Sequence, residues 1–174
     1  YPAMKDKLVQ FPSISAVTAT SSLPTYMGNS SSGFDWDNKD PEETMLFHLT
    51  TVDYDYLESF GMSLSQGRFY MPEYGSDSTS AVVINEKALA IMGIDDPLGY
   101  RLSYGDTDYE IIGVVKDFHF KPIKTQIEPL VMIFDNGWHQ YMIIRVNPGD
   151  VSTAIDNVKT VFQELNPSYP FEFN

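Results

Sequence analysis

Two apolar runs in this chain of 174 residues, IIGVV at 111–115 and LVMIF at 130–134, are each five residues long. Runs of that length, bounded by polar and turn residues, read as buried strands, because a helix needs about 10 residues or more and repeats every 3.6. Strands apolar on both faces have to be buried in a sheet with other layers against it. No stretch approaches the roughly 20 apolar residues of a membrane-spanning helix. Apolar residues at 43% and charged residues at 20% suffice for one globular domain, or for two small lobes sharing a core.

Helices and turns fall between the strands. AMKDKLVQF puts Met4, Leu8 and Phe11 on one helical face, and Pro12 ends it. ISAVTA at 14–19 reads as a short strand. Residues 21–43 are rich in Ser, Gly, Pro and Asp, have no period, and read as a long surface loop, a length usually functional or mobile. TMLFHLTTV at 44–52 is a strand with Met45, Phe47 and Leu49 on one face. A short helix at 54–60 follows, closed by Gly61, and 62–69 is extended. SAVVINEKALAIMG is a strand passing directly into a helix, with Asn85 as N-cap, Ala88, Leu89 and Met92 facing inward, and Gly93 as the stop. Strands at 100–104 and 109–120 flank the hairpin signal Gly105-Asp106-Thr107-Asp108. Two more, at 129–134 and 141–146, flank Asp135-Asn136-Gly137. The clearest helix is 150–165, where Val151, Ala154, Ile155, Val158, Val161, Phe162 and Leu165 form one stripe. A strand at 169–173 is expected to close the chain. The fold class is α+β, without a strict βαβ repeat.

Charge and motifs remove most chemistries. With 24 acidic against 11 basic residues the chain carries −13, a surface that repels phosphate backbones and anionic headgroups, so no nucleic-acid partner is expected. The absence of cysteine removes disulfides, thiolate zinc sites and cysteine nucleophiles. No G-x-S-x-G, phosphate loop or G-x-G-x-x-G occurs. The acidic cluster Asp35, Asp37, Asp40, Glu42, Glu43 lacks calcium-loop spacing and reads as solvated. In VVKDFHF, a strand reaching residue 120 would put Asp117 and His119 on one face, as a catalytic or metal-binding pair needs. His48 and His139 add no ligand spacing, so the favoured reading is a strand end bonded to a neighbouring loop. Tyr26, Met27, Phe34 and Trp36 lie in the loop 21–43 and make either a flap over the core or a contact surface. Tyr26, Phe34 and Trp36 are the candidate residues for partner or cargo contact.

Ordered blocks then carry a resemblance. Val52-Asp53-Tyr54-Asp55-Tyr56-Leu57, Phe60-Gly61-Met62 and Gly67-Arg68-Phe69 come first. Ala81-Val82-Val83-Ile84-Asn85-Glu86, Asp96-Pro97-Leu98-Gly99, Ile112-Gly113-Val114-Val115-Lys116-Asp117-Phe118-His119 and Pro170-Phe171-Glu172 follow. Together they resemble the MacB-like periplasmic core domain of ABC-transporter permeases related to MacB, LolC and FtsX, with the large permeases of Bacteroides-type bacteria most alike. The resemblance implies an extracytoplasmic domain between the first two transmembrane helices of an inner-membrane permease. It implies two lobes: a porter-like α+β lobe from 1–60 and 128–174, and a mostly-β lobe inserted at 61–127, with 21–43 as a long loop. It also implies a separate ATPase chain or domain, a dimeric parent, and a possible periplasmic or outer-membrane partner.

The expected function is therefore non-enzymatic: contact with cargo or a partner, and relay of ATP-driven conformational change. No catalytic residue, cofactor or metal is expected. A start at Tyr1 in place of Met reads as a fragment or mature form, with any membrane helices outside it. Two rivals stand beside this reading: a free-standing periplasmic peptide- or lipid-binding module, and a small hydrolase using Asp117 and His119.

Overall fold

The computed structural model describes all residues except 24, 26, 43, 119–125, 135, 136 and 174. The described residues form five helices and ten strands. The helices are α1 (Pro2–Leu8), α2 (Tyr56–Phe60), α3 (Asp77–Ser80), α4 (Glu86–Met92) and α5 (Val151–Leu165). The strands are β1 (Ile14–Thr20), β2 (Ser30–Ser31), β3 (Phe34–Trp36), β4 (Phe47–Val52), β5 (Leu64–Gly67), β6 (Ala81–Asn85), β7 (Arg101–Tyr104), β8 (Thr107–Val115), β9 (Leu130–Phe134) and β10 (Tyr141–Val146). The α+β class expected from the pattern is the class observed. No described helix is long and apolar enough to cross a membrane.

One sheet runs through the molecule in the order β10-β1-β4-β9-β6-β8-β7-β3, with β2 added to β4 and β5 to β8. β4–β9 and β6–β8 are parallel pairs, and the other pairings are antiparallel. Strand β6, AVVIN, is buried throughout and apolar up to Ile84. Val82 and Ile84 face a cluster with Ala88 and Met92 of α4, while Val83 faces the opposite cluster with Met132 and Phe134. A third cluster holds α1 and α5 to the outer end of the sheet, joining Leu8, Ala154 and Val161 to Ile14 and Val17.

The sheet has a seam where β9 meets β6. The segments 1–60 and 128–174 supply β10, β1, β4 and β9, with β2 beside β4; the segment 61–127 supplies β5, β6, β8 and β7, and β3 of the first segment crosses to pair with β7. The seam itself is the antiparallel pairing Val82↔Ile133, Val83↔Met132, Ile84↔Val131. Buried side chains pin it at both ends. The Tyr70 hydroxyl is placed 2.9 Å from the Ala81 carbonyl and 3.0 Å from that of Met132. Asn85 accepts from the Leu130 amide at 2.8 Å and donates to the Glu128 carbonyl at 3.0 Å.

Several local expectations change in three dimensions. Residues 21–43 are not all loop: β2 pairs with β4 and β3 with β7, so this segment touches both halves of the sheet. The strand expected through residue 120 ends at Val115, because its edge partner β5 also ends there, opposite Leu64. The hairpin is tighter than expected, closing on Gly105 and Asp106 with Tyr104 paired to Thr107; Gly105 has φ +59°. The closing strand at 169–173 is absent. Phe171 instead folds back on α5, its ring 5.6 Å from that of Phe162, so side-chain packing replaces a backbone ladder. The stripe on α5 is buried at Ala154 and Val161, but Val151 and Leu165 at its ends are exposed. Asp135 and Asn136 of the expected turn lie outside the described residues.

Candidate functional site

Asp117 is occupied by structure. Its carboxylate accepts from the Lys87 amide at 2.9 Å, in the first turn of α4, and its own amide donates to Glu86 at 3.1 Å. Glu86 also accepts from the Ser65 hydroxyl at 2.7 Å. These two bonds, Ser65 first and then the Asp117 amide, hold the Glu86 carboxyl below its ordinary range. β8, α4 and β5 are thus tied by reciprocal carboxylate-to-amide bonds of the kind that satisfy orphan donors at a helix start. The strand ends at Val115, so Asp117 lies beyond it, and His119 lies outside the described residues. Among the described residues no three His, Asp or Glu side chains converge as a metal site requires.

Phe34 and Trp36 are core residues, 1% and 6% exposed. Pairing of Phe34 with Tyr104 and of Trp36 with Leu102 turns both rings inward and Asp35 outward. Phe34 stacks on Tyr104 at 4.5 Å, and Phe47 lies 5.5 Å from Phe34 and 5.7 Å from Trp36. Lys39 closes the site, its ammonium 5.0 Å from the Trp36 ring and 2.6 Å from the Phe34 carbonyl. In this packing the two rings offer no surface to a partner. Tyr26, the third candidate, lies outside the described residues.

Exposed aromatics lie elsewhere, Tyr169 at 70% and Phe173 at 64% among them. Trp138 is 66% exposed between β9 and β10, and Tyr141 opens β10 at 39%. Sequence reading passed over them because GWH sits beside a turn signal and carries no period.

A second polar cluster joins α1 to the turn between β4 and α2. Lys5 lies 2.7 Å from Asp53 and 2.6 Å from Asp55. The Tyr1 hydroxyl also donates to Asp53, which accepts from the Tyr54 amide at 2.8 Å. Burial alone would push the Asp53 carboxyl up; the bonds from Lys5, Tyr1 and Tyr54 outweigh it and hold the carboxyl below its usual range. Across the sheet, His48 reaches Glu128 at 2.6 Å.

The MacB-like periplasmic core domain family matches residues 1–161. The chain belongs to that family. The periplasmic region of MacB from Actinobacillus actinomycetemcomitans is 20% identical, with a TM-score of 0.60 over 94% of this chain and 73% of that one. The extracellular domain of the noncanonic ABC-type transporter YknZ from Gram-positive bacteria is 13% identical, with a TM-score of 0.66 over 95% and 83%. A domain of a putative permease protein from Porphyromonas gingivalis is 19% identical, with a TM-score of 0.62 over 94% and 68%. At these identities the three structures speak for the fold. Comparison with curated proteins found no match.

The blocks that suggested a MacB-like domain are the joints of its sheet. Gly67 faces Gly113 across β5 and β8, and a Cβ on Gly113 would stand 2.1 Å from the Arg68 carbonyl. A Cβ on Gly67, at φ +69°, would stand 2.4 Å from the Ile112 carbonyl. Arg68 pairs with the buried Asp77, one of its two bonds measuring 3.0 Å, and lies 4.0 Å from the Tyr74 ring. Asp53 holds α1, Asn85 pins the seam, and Asp117 caps α4. The motif chemistry of this MacB-like domain is joinery.

Proposed function

We propose that this MacB-like periplasmic core domain of an ABC-transporter permease is a non-enzymatic relay. It carries movement from the transmembrane part of its parent, driven by a separate ATPase chain or domain, to a cargo or partner protein outside the cytoplasm. The two segments of the sheet, 1–60 with 128–174 and 61–127, are the units that move, and their joints are the β9–β6 seam and the pairing of β3 with β7. The parent is expected to act as a dimer in the inner membrane.

The observation that carries this reading is how α1 is fastened. α1 lies against α5, with Lys7 2.5 Å from Glu164, and both helices share one apolar cluster with β1 and β10. Lys5 ties α1 to Asp53 and Asp55 at the head of α2. Displacing α1 therefore loads β1, β4 and α2 together, and close-packed elements transmit such a shift instead of absorbing it. The sheet then carries it across the seam, where Tyr70 and Asn85 clamp the strands. Asp117 Oδ1 accepts from an amide in the first turn of α4, a structural use that accounts for the residue without catalysis.

The test is amide hydrogen exchange on the parent permease with its ATPase, compared with and without ATP. The expected result is an ATP-dependent change in α1 and along the β6–β9 seam. Exchange unchanged throughout the domain would overturn the relay. Hydrolytic turnover abolished in Asp117→Asn with stability retained would replace it with an enzyme.

A further inference from the structure

The apolar clusters divide the chain differently from the sheet. Among the described residues, every member of the cluster beneath α1 and α5 comes from 1–20 or 141–174. Every member of the other two clusters comes from 27–134. α1, β1, β10 and α5 therefore share one dry core, and the rest of the domain has its own. The β9–β6 seam lies inside that second body. It is covered on one face by Val83 with Met132, and on the other by Val82 and Ile84 with Val131.

What joins the two bodies is polar. β1 follows β10 from Ile14 to Thr20 but meets β4 at one pair, Thr20↔Val52. Beside that pair the Thr20 hydroxyl lies 3.1 Å from that of Thr50, and the Ser21 hydroxyl accepts from the Thr51 amide at 2.9 Å. α2 lies against β1 and β10, and there Arg145 donates to the Glu58 carbonyl at 2.8 Å. Lys5 of α1 reaches Asp53 at 2.7 Å and Asp55 at 2.6 Å, and the Tyr1 hydroxyl donates to Asp53. Thr18 on β1 and Ser59 on α2 keep buried hydroxyls that find no partner among the described residues. Water can replace each of these polar contacts when the bodies part, and a buried hydroxyl without a partner gains by meeting it. Parting the seam would instead expose apolar surface on both faces, with no compensating contact in water.

We propose that the body made of α1, β1, β10 and α5 swings on the rest of the domain about the Thr20↔Val52 bridge. Lys5, Asp53 and Asp55 are the latch that sets its angle. The inference rests on the relay reading and adds to it a joint inside the segment 1–60 with 128–174. Moving α1 then turns one close-packed body on another, and the latch decides how much of that turn reaches α2.

The chain has no cysteine, so paired spin labels attach only where cysteines are introduced. Ser30→Cys with Lys159→Cys, at exposed positions on β2 and α5, spans the bridge. Ser30→Cys with Ala90→Cys, the latter exposed on α4, spans the seam. Double electron–electron resonance reads the distribution of distances for each pair. In Lys5→Met the distribution across the bridge is expected to widen about twofold or more, while the one across the seam keeps its width. Asp55→Asn leaves the buried Asp53 paired; it should widen the bridge distribution less, and it carries the test if Lys5→Met does not fold. An unchanged bridge distribution in the folded variants, or equal widening of both pairs, overturns the joint. That failure would leave the relay with the β9–β6 and β3–β7 pairings as its joints. Failure of the relay shows separately, as exchange in the parent permease that ATP does not change.

Discussion

Asn85 makes bonds in three directions from a fully buried position. Its side-chain oxygen accepts from the Ala88 amide at 3.0 Å, as an N-cap does, and from the Leu130 amide at 2.8 Å; its nitrogen donates to the Glu128 carbonyl. Asn85→Ala removes the cap and strands buried groups of β9, so a loss of about 2–4 kcal/mol is expected in urea denaturation. Asn85→Asp keeps the acceptor and should cost less. Asp53 gives a pH dependence whose sign is set by its lowered pKa. A carboxyl depressed in the folded state contributes stability above its unfolded value, about pH 4, and that contribution is lost as pH falls through the folded value. Lys5→Met removes the largest of the interactions that lower the Asp53 carboxyl, so its pKa rises and acid unfolding should begin at a higher pH. Denaturation curves from about pH 7 down to pH 2 would record that shift. The cap at Asn85 was legible because an N-cap needs only neighbours in sequence. Its bonds to Glu128 and Leu130 were not, because those partners are 43 and 45 residues away.

At the scale of elements, β3 is where sequence and structure differ most. Three residues in a Ser-, Gly- and Asp-rich segment are too few to show a period of two, so FDW reads as loop. Only pairing with β7 makes it a strand, and only then do Phe34 and Trp36 turn inward. Phe34→Ala should therefore cost about 3–5 kcal/mol and lower the thermal midpoint, the behaviour of a core residue and not of a contact residue. Longer elements were readable by the same reasoning. α5 spans several turns and shows its stripe, β6 passes into α4 through a cap, and Gly61 and Gly93 end their helices at φ +63° and +65°. The end of β8 was misjudged because the apolar pattern persists past Val115, while the ladder needs an edge partner that β5 no longer supplies. The C-terminal segment erred in the same direction, since YPFEF alternates without an edge to join.

At the scale of the whole molecule, net charge makes the simplest prediction. A surface of −13 repels itself, so raising salt from low ionic strength to about 0.5 M should raise the melting temperature. A fall on adding salt would mean that ion pairs such as Lys5 with Asp53 and Asp55 outweigh the repulsion. The continuous sheet is also a whole-molecule fact. It joins segments that the resemblance divides into two lobes, and it uses parallel pairs, β4–β9 and β6–β8, between strands far apart in the chain. The amino-acid sequence by itself determined the α+β class, most element types, the caps and turns that bound them, and the ordered blocks of the MacB-like family. Each of those depends on residues within a few positions of one another. Tertiary structure alone decided the strand order, the burial of Phe34 and Trp36, and the engagement of Asp117. Those are set by which distant segments compete for the same hydrogen-bonding edges and the same apolar faces, and no local pattern records the winner.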